Sequence, residues 1–93
     1  MTGARVRRRV VVSGLVQGVG FRAATWSRAE ACGVAGWVRN RPDGSVEAAF
    51  EGAPEAVEAL VGFCRAGPRL ARIERVEVCE ESVEGLLRFE LRR

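Results

Sequence analysis

Gly14-Leu15-Val16-Gln17-Gly18-Val19-Gly20-Phe21-Arg22 joins a valine-rich run to a segment with helical patterning. Gly14, Gly18 and Gly20 let the backbone turn sharply and aim several N–H groups at one spot. A helix that starts directly after the loop adds the positive end of its dipole. Arg22 falls in the first turn of that helix, where a cation is disfavoured by about 0.3–1 kcal/mol. A bound anion would offset that penalty, and an arginine fork suits a planar or tetrahedral oxyanion. The stretch reads as a phosphate or carboxylate cradle. A tight strand–helix junction with Arg22 in solvent is the other reading that spacing leaves open.

Outward from this loop, Arg5 to Ser13 is expected to form a strand through Val6, Val10, Val11 and Val12. A helix is expected over Phe21 to Cys32, with Phe21, Thr25, Arg28, Ala29 and Cys32 near one stripe and Gly33 as its C-terminal cap. Val34 to Asn40 reads as a strand, and Asp43-Gly44 marks a hairpin into a return strand over Ser45 to Glu51. Pro54 opens a second helix whose apolar stripe is Val57, Leu60, Val61 and Cys64; Gly67-Pro68 ends it. Arg72 to Glu80 and Leu86 to Leu91 complete the set as strands. The order predicts an α+β, ferredoxin-like βαββαβ sandwich: an antiparallel sheet, two helices on one face, and a short extra C-terminal strand. The opposite sheet face should be the more exposed one. Residues 1–93 suit a single domain.

That topology has a consequence for function. A right-handed βαβ unit makes the first two strands parallel, with the return strand inserted between them. Their C-terminal ends then lie on the same sheet edge, roughly 10 Å apart. The glycine loop leaves one end and Asn40 closes the other, so both can reach one small anion. Asn40 is therefore a candidate site residue, although an Asn ahead of a hairpin also serves as a turn initiator.

Composition narrows the chemistry. The net charge is +3, with 15 basic side chains, all arginine, against 12 acidic ones. Arg7, Arg8 and Arg9 form the one dense cluster, which is expected to be a solvated strand face that discourages edge aggregation. Nucleic acid is not an expected partner: there is no Tyr, and only Trp37 is placed to stack a base on the exposed face. Trp26 and Trp37 are expected to be packing residues. The chain has no His, and Cys32, Cys64 and Cys79 are widely spaced, which argues against the usual zinc patterns and a disulfide framework. Cys32 and Cys64 fall on apolar helical positions and should be buried free thiols in a reducing, cytoplasmic compartment. No apolar run is long enough to span a membrane, and no secretory signal is visible. Without His, no Ser–His or Cys–His nucleophile and no imidazole base is available. Glu47 and Asp43 are bases on paper, but solvated charges at a strand face and hairpin are the simpler reading.

Two stretches together resemble the acylphosphatase family: Val12-Ser-Gly-Leu-Val-Gln-Gly-Val-Gly-Phe-Arg22 and Gly36-Trp-Val-Arg-Asn-Arg-Pro-Asp-Gly-Ser-Val-Glu47. The similarity extends over about Arg5 to Leu91, and the βαββαβ order agrees with the family fold. Ser82 to Arg93 is weakly diagnostic and has no Tyr. The family hydrolyses carboxyl-phosphate anhydrides without metal or cofactor. The resemblance implies that Arg22 binds phosphate, that Asn40 orients the attacking water, and that Leu15, Val16, Gln17, Gly18, Val19 and Gly20 form the phosphate loop.

The expected function is thus hydrolysis of a small-molecule acyl phosphate by a monomer, with inorganic phosphate or sulfate as competitive ligand. The alternative is a non-catalytic phosphate- or carbamoyl-phosphate-binding module of the kind that opens larger maturation proteins. That the chain begins and ends with the module favours the free-standing enzyme. A small RNA-binding domain on the same fold is a third reading, disfavoured by the lack of strand-face aromatics.

Overall fold

Valine-rich β1 (Val6–Leu15) opens the fold and is followed by α1 (Phe21–Cys32), β2 (Ala35–Asn40), β3 (Val46–Gly52), α2 (Pro54–Ala66), β4 (Arg72–Glu81) and β5 (Phe89–Leu91). The computed structural model describes residues 4–93; the first three residues of the expected domain lie outside this range. The strands form one sheet in the order β4-β1-β3-β2-β5. β1 is antiparallel to β3 and β4, β2 is antiparallel to β3, and β5 alone runs parallel to its neighbour β2. The βαββαβ core with an extra terminal strand is as expected.

Alternation along the strands sorts the side chains. Val10, Val12, Val38, Val46, Ala48 and Phe50 face the helices and are fully or almost fully buried. α1 supplies Phe21, Thr25 and Ala29, and α2 supplies Val57, Leu60, Val61 and Cys64. The α2 stripe is the one its spacing predicts. β1 runs on to Leu15, past the expected Ser13, because β4 follows it through a bulge at Ser13/Gly14. A Cβ at Gly14 would sit 2.2 Å from the Arg72 carbonyl oxygen, and its φ of +127° also favours glycine there. The last strand is shorter than expected, since only Phe89 to Leu91 pair with β2.

Several side chains sit elsewhere than the sequence suggests. Cys32 is exposed. Gly33 turns the chain down at the end of α1 with φ +69°, and Val34, not Cys32, takes the buried place beneath that turn. Trp26 is also exposed, because it lies one residue, about 100°, off the Phe21–Thr25–Ala29 stripe. Trp37 is half-buried, with the Arg39 and Arg92 guanidinium groups over its ring at 5.6 and 5.0 Å. Cys64 is buried in the core, and burial pushes its thiol up to about 12, so it stays protonated at neutral pH.

The arginine cluster guards no edge. β1 is an interior strand, and its arginines meet carboxylates from distant parts of the chain. On the face away from the helices, Arg7 is only 4% exposed and bonds Glu51 at 3.1 Å and Glu81 at 3.0 Å. Arg9 bonds Glu47 at 2.8 Å, and Arg39 reaches the same carboxylate at 2.8 Å. Arg8 lies on the other face, 3.8 Å from Glu58 of α2. Glu47 is therefore buried and ion-paired, not solvated; its two arginines hold its carboxyl below the usual range against the desolvation that opposes them. Asp43 is exposed as expected and accepts hydrogen bonds from the Ser45 N–H at 3.0 Å and the Ser45 hydroxyl at 2.6 Å, which keeps its carboxyl low.

Candidate active site

The chain from β1 into α1 is built to leave backbone donors free. Gly18 and Gly20 adopt positive φ, +76° and +78°, which lets the loop curl before the helix begins. Gly20 is the N-cap of α1, so no side chain caps the first turn, and that turn carries no acidic residue. The first N–H groups of a helix have no intrahelical partner. The residues that carry them here line a cavity of about 200 Å³ at the C-terminal ends of β1 and β2. Val16, Gly18 and Gly20 form one wall, Phe21, Arg22 and Ala23 the second, and Asn40 and Leu91 the third.

Arg22 and Asn40, predicted from separate stretches, line this one cavity. The sheet order explains it: β3 separates β1 from β2, and the two parallel strands end on the same side. Arg22 is half-buried, and its Nη1 donates to the Arg92 carbonyl oxygen at 2.7 Å, so the C-terminal segment fixes the guanidinium stem beside the cavity. No carboxylate lines the cavity among the described residues. One guanidinium and a helix start without an opposing negative group make a site that favours an anion.

The loop residues divide into two kinds. Gly18 and Gly20 bring bare backbone to the cavity. Val16 also lines the cavity and is buried in the core, Val19 packs partly against the core, and Leu15 is exposed at the end of β1. Gln17 does not line the cavity; its side-chain amide donates to the carbonyl oxygens of Arg41 at 2.8 Å and Ser45 at 2.9 Å. Leu91 and Ala23 are lining residues that the sequence reading missed. Ala23 adjoins Arg22 at the helix start and was within reach of that argument. Leu91 carried no local signal, since only the pairing of β5 with β2 brings it to the site.

Among the described residues, no cluster of three or more His, Cys, Asp or Glu side chains is placed to hold a metal. No helix among them is long and apolar enough to cross a membrane.

Comparison with known proteins bears on the family and the fold. The family model for acylphosphatase matches residues 8–91. The acylphosphatase of Gloeobacter violaceus is 57% identical over 88 residues, covering 95% of each chain. That of Thermococcus kodakarensis is 55% identical over 87 residues, covering 94% of this chain and 96% of the relative. The crystal structure of acylphosphatase from Bacillus subtilis superposes with a TM-score of 0.90 at 37% identity, over 95% of this chain and 99% of that one. With the profile matched across the sheet and both helices, and the backbone shared with a solved member, the chain belongs to the acylphosphatase family.

Proposed function

We propose that the chain hydrolyses the carboxyl-phosphate bond of small-molecule acyl phosphates to a carboxylate and inorganic phosphate, using Arg22 and Asn40. The observation that carries this reading is the meeting of Arg22, Asn40 and the uncapped start of α1 around one cavity. The loop and helix N–H groups, with Arg22, hold the phosphoryl oxygens and stabilise their charge in a loose, in-line transition state. The Asn40 side-chain amide can both accept from and donate to a water, and so fixes its line of attack on phosphorus. As the water oxygen bonds to phosphorus, the bond from phosphorus to the acyl oxygen breaks, and the electron pair leaves on the carboxylate. A carboxylic acid has a pKa of about 4, so this leaving group needs no protein acid. The water's proton passes to a phosphoryl oxygen of the substrate.

Two measurements test this. Purified protein is expected to turn over benzoyl phosphate at neutral pH, at a rate unchanged by EDTA. Activity lost to EDTA and restored by a divalent ion would overturn the mechanism, and tight phosphate binding without turnover would favour the binding-module reading. Inorganic phosphate or sulfate is expected to compete with substrate. Amide chemical shifts on phosphate titration should move at Leu15 to Arg22 and Asn40; movement confined to other residues would reject this cavity as the phosphate site.

A further inference from the structure

We infer that Gln17 is a positioning residue that holds the glycine loop and Asn40 in one fixed relation, so that the water held by Asn40 meets the phosphoryl group in line. The inference rests on the role proposed above for Asn40. The glycine-loop wall and the Asn40 wall of the cavity follow strands that do not touch. β1 and β2 are separated by β3, and the last shared rung of the ladder is Val12–Val46–Asn40. Beyond that rung β1 runs on to Leu15 paired only with β4, the hairpin turn leaves β2, and the ladder no longer couples the two.

Gln17 spans this gap. Its Nε2 carries two hydrogens, and both are used. One goes to the Arg41 carbonyl oxygen at 2.8 Å and the other to the Ser45 carbonyl oxygen at 2.9 Å. Those carbonyls flank the neck of the turn, where the Arg41 N–H bonds the Ser45 oxygen at 2.9 Å and the Gly44 N–H bonds the Arg41 oxygen at 3.1 Å. One side chain therefore clamps both arms of the hairpin. Its backbone adjoins Gly18 on the cavity wall, and Arg41 directly follows Asn40. Each carbonyl also keeps a backbone donor of its own, so the turn does not need Gln17 to satisfy its polar groups. What the amide adds is the distance between loop and turn, and small errors there matter: a misplacement of about 1 Å is enough to cost roughly 100-fold in rate.

A double-mutant cycle tests the assignment. Gln17→Met keeps the length and apolar stem of the side chain and removes the two donors. With benzoyl phosphate, it should lower kcat roughly 10- to 100-fold, while the affinity for inorganic phosphate stays near wild type because the loop N–H groups and Arg22 are untouched. In an Asn40→Ala background the same change should cost little further, since the group it positions is gone. Gln17→Glu, which faces a carboxylate to two carbonyl oxygens, should be impaired at least as much, and circular dichroism should show both variants folded. Full kcat in Gln17→Met would overturn the inference. So would an equal fold-loss in both backgrounds, which is the mark of a merely structural contact. If Asn40→Ala alone keeps full kcat, the water-orienting role fails and Gln17 fails with it; if Asn40→Ala is impaired and the losses simply multiply, only the Gln17 inference falls.

Discussion

Arg22→Ala is expected to lower kcat/KM by several orders of magnitude and to weaken inorganic phosphate binding, whereas Asn40→Ala should cut kcat and leave phosphate affinity nearly intact. Arg22 is the one cationic side chain lining the cavity among the described residues. A hydrogen bond to a charged group contributes about 1.5–3 kcal/mol. Charge building on the phosphoryl oxygens adds to that in the transition state; losing one such preorganised donor typically costs about 100- to 1,000-fold in rate. The binding and rate losses combine in kcat/KM. Asn40 touches only the attacking water in the proposed mechanism, so its deletion removes an interaction made on the way to the transition state. Stability should barely change in Arg22→Ala. A cation leaves a helix N-terminus, a gain of about 0.3–1 kcal/mol, while the bond to the Arg92 oxygen is lost; because that bond is solvent-exposed, its loss costs only about 0.5–1.5 kcal/mol despite the charge. Steady-state kinetics, phosphate titration and thermal unfolding on the two variants decide it. If Asn40→Ala kept kcat and merely unfolded more easily, Asn40 would be a turn residue and the mechanism would be wrong.

Glu51→Ala should instead damage the fold, destabilising it by about 3–5 kcal/mol, the usual result of removing one partner of a buried ion pair. Glu51 is fully buried on β3, on the sheet face away from the helices. One carboxylate oxygen accepts from Arg7 at 3.1 Å and from the Glu84 N–H at 2.9 Å; the other accepts from the N–H groups of Gly85 at 2.7 Å and Leu86 at 2.8 Å. The side chain thus fastens the connection between β4 and β5 to the sheet. Its loss leaves Arg7 buried with one partner fewer and the N–H groups of Glu84, Gly85 and Leu86 without their acceptor. Against a typical total of about 5–15 kcal/mol, that is a large fraction of the stability. Desolvation of the Glu51 carboxyl pushes its pKa up, but the three backbone donors and Arg7 outweigh it and hold the carboxyl below the ordinary value. A depressed folded pKa means the stabilisation is complete above the unfolded glutamate value of about 4.3 and is lost as pH falls through the folded value. The protein should accordingly weaken below about pH 4, with Glu47 contributing in the same direction. Urea midpoints at pH 7 and pH 3 for wild type and Glu51→Ala would show it. A variant as stable as wild type at pH 7, or one with an undiminished acid dependence, would contradict this account.

The chain's local signals were legible because they depend on near neighbours. Gly33 ends α1, Asp43-Gly44 turns the hairpin, and Val57, Leu60, Val61 and Cys64 face the core; each follows from backbone freedom or a 3.6-residue period. The convergence of Arg22 and Asn40 was legible too, since the handedness of a βαβ unit places both strand ends on one edge. Tertiary structure alone decided what depends on partners remote in sequence. Arg7 and Glu47 look like solvated charges until β1 is set between β3 and β4, which pairs them with Glu51, Glu81, Arg9 and Arg39. Cys32 fell off the buried face because the turn at Gly33 brings Val34 into that place, which the helical register does not show. Leu91 reached the cavity only through the parallel pairing of β5 with β2, and Gln17 turned its amide to the hairpin only because that turn lies beside the loop. Periodicity and turn chemistry are properties of a few consecutive residues, whereas burial, ion pairing and the distance between loop and turn are set by contacts that exist only once the sheet has assembled.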